Sequence, residues 1–345
     1  QKMFNLLLLI TLFLVALIFF QSKFLLLIDT PYGQSHKSLH NKNTPLSGGI
    51  YLFVTIIAYI NFKEFNAYSI TLSIFLLSIL ILGIFSDTKI NFSPKLRLLY
   101  QFIIVLLFIS LLDLKIDKTG VFFLEYFINN FLFNLLFTTI CIIIVINGSN
   151  FCDGVNCNVI GFYLAVTLGI YISQLSTPEN LPEAGVLISI FIIFYFANLL
   201  QKSFLGDNGT YVISAFMSVY VINFINMNNS ISPLLALNLL WYPAFENLFT
   251  IVRRLFYKKK IQIADRSHLH ILILEKISLN KNLVFFNSIT GVILNLVILF
   301  GILLSINFSN DSKILMSILI INIFIYIFCY YLLLPKKDIL DVDNK

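Results

Sequence analysis

Charge is scarce in this chain. Asp, Glu, Lys and Arg make up 12% of its 345 residues, about half the ~25% of an ordinary soluble domain. That scarcity excludes a disordered segment, a coiled coil and a DNA-binding domain. Cysteine is scarce as well. Of the four, Cys141 and Cys329 lie inside apolar runs and Cys152 and Cys157 share one short polar segment, so neither a disulfide framework nor a zinc clip is expected. There is no Gly/Ser linker, low-complexity tract or internal repeat, and residues 1–345 are read as one domain. What the chain has is apolar surface: 59% of positions, with a mean hydropathy of +0.91. That is about 204 apolar residues against the roughly 155 to 170 of a soluble chain of this size. At ~20 per bilayer crossing they suffice for about ten helices.

Long apolar runs separated by polar breaks give eleven candidate spans, near 4–21, 46–61, 68–85, 96–112, 130–147, 158–175, 184–200, 209–226, 231–251, 282–306 and 311–334. The first run is followed by Gln21, Ser22 and Lys23 without a small-residue cleavage pattern, so it is read as a mature helix. Pro94, Pro182 and Pro233 fall just inside or before span starts, where a missing N–H does least harm. The expected fold is an all-α polytopic membrane bundle of about eleven transmembrane helices.

Orientation follows from counting Lys and Arg by loop parity. Eighteen of the 23 fall after odd-numbered spans or in the C-terminal tail. That face is expected to be cytoplasmic, with the N-terminus outside and the C-terminus inside. The net charge of +6 is therefore a signal of sidedness. It suits anionic head groups and nucleotide phosphates, and no nucleic-acid partner is expected.

The residues able to do chemistry share that face. His36, His40, His268 and His270 all fall there, as do Asp29, Asp87, Asp153, Asp207 and Asp265. The first inner loop carries Lys37 between its histidines and ends in Pro45 and Gly48-Gly49, an anion-binding composition or an ordinary positive-inside loop. The second places Asp87 at the end of a span, a structural or a functional position. The third, Asn147-Gly-Ser-Asn150-Phe-Cys-Asp153-Gly154, sets costly polar groups at membrane depth, as a wet site would. In the fourth, Asp207 stands between Gly206 and Gly209, either a simple N-cap or a carboxylate placed to hold a hard cation beside a closely approaching ligand. The fifth and most basic loop follows Arg253-Arg254 and closes on Asp265-Arg266-Ser267-His268-Leu269-His270. The alternate histidines lack a third zinc ligand, and an i, i+2 pair is expected to share a side only in a strand, so phosphate binding or proton transfer fits better. Glu246, seven residues before Arg253, is an acid within a span and a functional candidate by that fact.

Taken in order, these five segments resemble the polyprenyl-phosphate N-acetylhexosamine-1-phosphate transferase family, the group of glycan-initiating enzymes related to phospho-MurNAc-pentapeptide translocase. His36-Lys37 to His40 with Pro45 and Gly48-Gly49 resembles its first inner-loop motif. Ser86-Asp87 with Pro94 to Gln101 resembles its Asp-Asp segment, and Asn147 to Gly154 its Asn-x-x-Asn-Phe-x-Asp-Gly motif. Phe204-Leu-Gly-Asp207 resembles Phe-Met-Gly-Asp, and Arg253-Arg254 with Asp265 to His270 resembles the Arg-Arg and His-x-His-His loop. There are three departures: Ser86 replaces the first aspartate, Asn156-Cys157 a common Asp-Gly, and Ile271 the last histidine.

The resemblance implies transfer of a sugar-1-phosphate, an N-acetylhexosamine-1-phosphate, from a UDP-sugar to undecaprenyl phosphate, with release of UMP, at the cytoplasmic face of a bacterial inner membrane. Its product would be the lipid-linked first sugar of a cell-surface polysaccharide. It implies Mg2+, or Mn2+, on Asp207 with Asp87 assisting, and Asp153 in nucleotide-sugar binding or proton transfer. Lys37, Arg253, Arg254, His268 and His270 would hold phosphates, His268 also as a catalytic group, His40 would bind substrate, and Asn147 and Asn150 would bind the sugar nucleotide. A homodimer is compatible with it. The nearest rivals are the peptidoglycan translocase itself, which the shortened histidine motif and basic fifth loop resemble less, and a transporter, whose charges would lie mid-span.

Overall fold

In a computed structural model, residues 2–24, 26–29, 43–88, 93–174, 181–256, 267–278 and 283–334 are described. They form helices α1 (Lys2–Phe24), α2 (Gly48–Lys63), α3 (Ala67–Asp87), α4 (Pro94–Leu111), α5 (Phe122–Ile128), α6 (Phe131–Cys152) and α7 (Asn158–Ser173). These are followed by α8 (Leu181–Leu199), α9 (Gly206–Met227), α10 (Leu234–Phe256), α11 (Leu269–Ser278), α12 (Leu283–Asn307) and α13 (Ser312–Leu333). The fold is an all-α polytopic bundle. Each segment expected to span coincides with one helix, and α5 and α11 are short additions. Among the described residues seven helices, α3, α4, α6, α9, α10, α12 and α13, are long and apolar enough to cross a membrane.

Local chemistry sets the helix starts. Asn66 and Ser69 form a reciprocal capping box at α3. Ser93 accepts from Leu96 N–H ahead of Pro94 at the first turn of α4. Asp311 accepts from Lys313 and Ile314 N–H at α13. Pro243 lies inside α10, and its neighbourhood is tight. A Cβ on Gly148 of α6 would stand 1.8 Å from the Pro243 carbonyl oxygen. Only a glycine lets these two backbones approach so closely, which is how membrane helices gain packing contacts when lipid offers no hydrophobic drive.

At the centre is α9. Tyr211, Val212, Ile213, Ala215 and Met217 are fully buried around its whole circumference, the pattern of a helix enclosed by other helices. By contrast Ile320, Phe324, Phe328 and Leu332 of α13 are all more than half exposed, as lipid-facing side chains are. A two-residue antiparallel pair, β1 (Ile28–Asp29) with β2 (Thr44–Pro45), closes the neck of the first inner loop. Phe204 N–H donates to Pro45 O at 2.9 Å and Gly48 N–H to Phe204 O at 3.1 Å, which fastens that neck beside the start of α9.

Candidate active site

The candidate residues sit on helix ends, as expected for Asp87, Asp207, Arg253 and Arg254, whereas Asn147 and Asn150, expected in a loop, lie inside a helix. Asn147 and Asn150 lie within the last turns of α6, Asp87 ends α3, Asp207 occupies the first turn of α9, and Arg253 and Arg254 the last turn of α10. The apolar pattern hid the continuation of α6, because a helix can run on through polar residues when those residues face a site instead of lipid. Lys37 and His40 lie outside the described residues.

Asp87 reaches from α3 to cap a different helix. One carboxylate oxygen accepts from Asp207 N–H at 2.9 Å and the other from Asn208 N–H at 2.9 Å and from the Asn208 amide. Gly206 makes the approach feasible: its φ of +66° is left-handed, and a Cβ there would meet Asp87 Oδ2 at 3.0 Å. The glycines that frame Asp207 therefore serve contact between α3, α2 and α9, since a Cβ on Gly209 would crowd Leu205 and the Gly49 nitrogen. The simple N-cap reading of Asp207 is also corrected. The cap is Asp87, and Asp207 turns outward.

The Asp207 carboxylate accepts from the Asn150 amide on one oxygen, and from the Ser86 hydroxyl and Arg97 Nη1 (3.1 Å) on the other. Arg97 Nη1 also donates to Ser86 Oγ at 3.0 Å. Asp207 and Arg97 side chains are each about a quarter exposed (24%), so the pair faces an opening. In the sequence Arg97 reads as one more cation of the second inner loop. Its signal was its position one turn into the helix that starts at Pro94. Asn147 donates to Gln101 Oε1 of α4 at 2.8 Å, so it ties α6 to α4, while Asn150 orients the carboxylate.

Asp153 follows α6. Burial, and then the negative charges of Asp207, Asp87 and Asp29, push its carboxyl well above the usual carboxylate range. Carboxylates crowded in this way are the setting in which a hard divalent cation lowers the repulsion. Among the described residues no three of His, Cys, Asp or Glu converge to chelate an ion unaided.

Beside the aspartates is a stack of planar groups. The Arg254 guanidinium lies 5.8 Å over the Phe151 ring, Phe151 packs on His268 with centroids 5.5 Å apart, and His268 stacks on His270 at 5.6 Å and 12°. The histidine rings do share a side, contrary to the expectation for a non-strand i, i+2 pair, because the chain bends at His268 before entering α11. His270 is completely buried, and a Cβ on Gly154 would meet its Nε2 at 2.3 Å. Burial, with the neighbouring His268, lowers its pKa to about 3 against the opposing pull of Glu246, so His270 is a neutral ring at physiological pH. Arg253 donates to Tyr330 Oη of α13 at 3.2 Å. Glu246, wholly buried in α10, accepts from Tyr326 and pairs with His268 Nδ1 at 2.8 Å. Nothing in the sequence singled out the tyrosines of α13 as partners of these groups.

Comparison with known proteins adds a further observation. The family model described as "Glycosyl transferase family 4" matches residues 67–225, the stretch that carries Asp87, Arg97, Asn147, Asn150, Asp153 and Asp207. The chain is 27% identical over 262 residues, 70% of its own length and 68% of the relative's, to the Bacillus subtilis (strain 168) protein named "Probable undecaprenyl-phosphate N-acetylglucosaminyl 1-phosphate transferase". It is 25% identical over 272 residues, covering 76% of itself and 77% of the relative, to the Thermotoga maritima "Undecaprenyl-phosphate alpha-N-acetylglucosaminyl 1-phosphate transferase".

Proposed function

We infer the activity from one premise: this chain belongs to glycosyl transferase family 4. It is a multi-pass membrane phosphotransferase that moves an N-acetylhexosamine-1-phosphate from a UDP-sugar to undecaprenyl phosphate. A phosphate oxygen of the lipid attacks the β-phosphorus of the UDP-sugar. One P–O bond forms, the anhydride bond to the α-phosphate breaks, and UMP departs with that electron pair, leaving a polyprenyl-diphospho-sugar. The observation that carries this reading is the junction of α3, α4, α6 and α9, where Asp87, Arg97, Asn150 and Asp207 meet at one end of the bundle and Asp153 lies within reach of their charge. By the distribution of Lys and Arg that end faces the cytoplasm, where a UDP-sugar is available.

Such a transfer gathers three phosphates and has little covalent chemistry for the protein to perform, so positioning and charge compensation dominate. Asp207, with Asp87 behind it, would hold Mg2+ or Mn2+, which when bound offsets charge on the diphosphate and on the departing UMP. Arg97 and Arg254 supply fixed positive charge on either flank. Asn150 holds Asp207 in one orientation. Asp153, with its raised pKa, is suited to exchange a proton with the lipid phosphate or to hydrogen-bond the sugar nucleotide.

Purified protein given a labelled UDP-N-acetylhexosamine panel, undecaprenyl phosphate and Mg2+ is expected to yield lipid-linked label and UMP. Absence of transfer with every UDP-sugar would overturn the proposal. Asp207→Asn is expected to lower transfer at least ~100-fold and to weaken Mn2+ binding measured by electron paramagnetic resonance. Unchanged Mn2+ binding would remove Asp207 from the ligand set.

A further inference from the structure

The buried acid of α10 has no part in the chemistry described so far. Glu246 is completely inaccessible, yet both its oxygens are engaged by groups from distant parts of the chain. His268 Nδ1 lies 2.8 Å from Oε1, and the Tyr326 hydroxyl donates to Oε2. An enclosed carboxylate is expensive to maintain unless it is paired and hydrogen-bonded. Packing alone would be served as well by an apolar residue among the rings of Phe245, Phe249 and Tyr326, whose centroids lie 5.0 to 5.7 Å apart. What the carboxylate adds is direction. It accepts a hydrogen bond from His268 Nδ1, fixing the tautomer and the plane of the ring, while Tyr326 holds the carboxylate against rotation. Any proton or hydrogen bond that His268 gives then passes through Nε2. The orientation matters at this position, because His268 stacks on Phe151, which lies between Asn150 and Asp153 in the chain.

We propose that Glu246 and Tyr326 are positioning residues for the transfer reaction, acting through His268 to aim its Nε2 at the phosphates. The proposal rests on the function inferred above and extends it to a carboxylate that touches no substrate. It is the arrangement by which a second carboxylate orients a functional imidazole in hydrolases and metal sites, here assembled from α10, the turn before α11, and α13.

The experiment is a double-mutant cycle on the full-length protein in detergent with lipid, read by lipid-linked label. Glu246→Gln keeps the size of the side chain but can present an amide N–H where the acceptor was. It is expected to lower kcat roughly 10- to 100-fold with KM for the UDP-sugar within about twofold. Glu246→Asp, which restores the charge, is expected to recover part of that loss, and Tyr326→Phe to lower kcat several-fold. In a His268→Ala background Glu246→Gln is expected to change kcat by less than about twofold, because the group it acts through is gone. Losses that multiply across the cycle, or a raised KM with kcat unchanged, would overturn the proposal by assigning Glu246 a general structural role. If Glu246→Gln does not accumulate as folded protein, Tyr326→Phe carries the test, and wild-type kcat in that variant overturns the proposal. Wild-type protein that transfers no sugar phosphate would instead refute the underlying function.

Discussion

Single side chains in this protein are tuned by their neighbours more than by water. His270 shows the effect in its simplest form. Its folded pKa of about 3 lies below the ordinary 6.5, so between those values the unfolded chain binds a proton that the folded chain refuses. The stability this neutral ring contributes is present above pH 6.5 and is lost as pH falls toward 3. Thermal unfolding in detergent is expected to show a midpoint that drops across that window, and a His270→Gln variant a shallower drop. Equal slopes in the two proteins would show that the histidine is not responsible. Asp153 is pushed the opposite way, toward its protonated form. Asn is close to that form in shape and charge, so Asp153→Asn is expected to fold with an unfolding midpoint near that of the wild type while transfer falls at least ~100-fold, as judged by UMP release. Asp87→Asn, in contrast, weakens the cap that α3 supplies to α9, and is expected to lose stability and transfer together.

Helices are the elements that carry the site, and their junctions depend on a few close approaches. Gly148→Ala is expected to force α6 and α10 apart, since the added methyl would sit well inside contact distance of the Pro243 carbonyl. A loss of several degrees in the unfolding midpoint, with a parallel loss of transfer through displaced Asn147 and Asn150, is the outcome to measure. The long helices were legible in the sequence because lipid demands uninterrupted apolar runs of bilayer length, and the order of the polar motifs made the aspartates legible as a group. How far α6 continued into its motif was not. Asn147 and Asn150 interrupt an apolar run and look like loop residues, yet α6 continues through them to Cys152. The cross-helix cap by Asp87, the Arg97 pair and the partnership of Glu246 with Tyr326 all join residues far apart in the chain, and such partners leave no local periodicity to find. Gly206 gave half of its message: the need for a backbone without a side chain was readable, but the approaching group is Asp87 rather than a ligand.

For the molecule as a whole, sidedness is the property that joins a water-soluble donor to a lipid acceptor. Eighteen of 23 basic residues fall on one face by parity, and that face is expected to be cytoplasmic. A cysteine placed at Ser267, in the described turn before α11, is expected to resist a membrane-impermeant thiol reagent in intact cells and to react in inverted vesicles. One at the exposed Asn129, ahead of α6, is expected to behave in the opposite way, and the reverse pattern would invert the assignment. The enclosure of α9 has its own consequence for how the chain tolerates change. That helix borders protein on every side, whereas α13 leaves much of its length to lipid, so the two answer to different constraints. In a library of single substitutions scored by folding, α9 should sort its replacements by volume, rejecting a leucine at Ser214 or Ser218 as firmly as a charge. The outer face of α13 should sort them by polarity, accepting almost any apolar residue. The same leucine would be an intrusion in one helix and unremarked in the other.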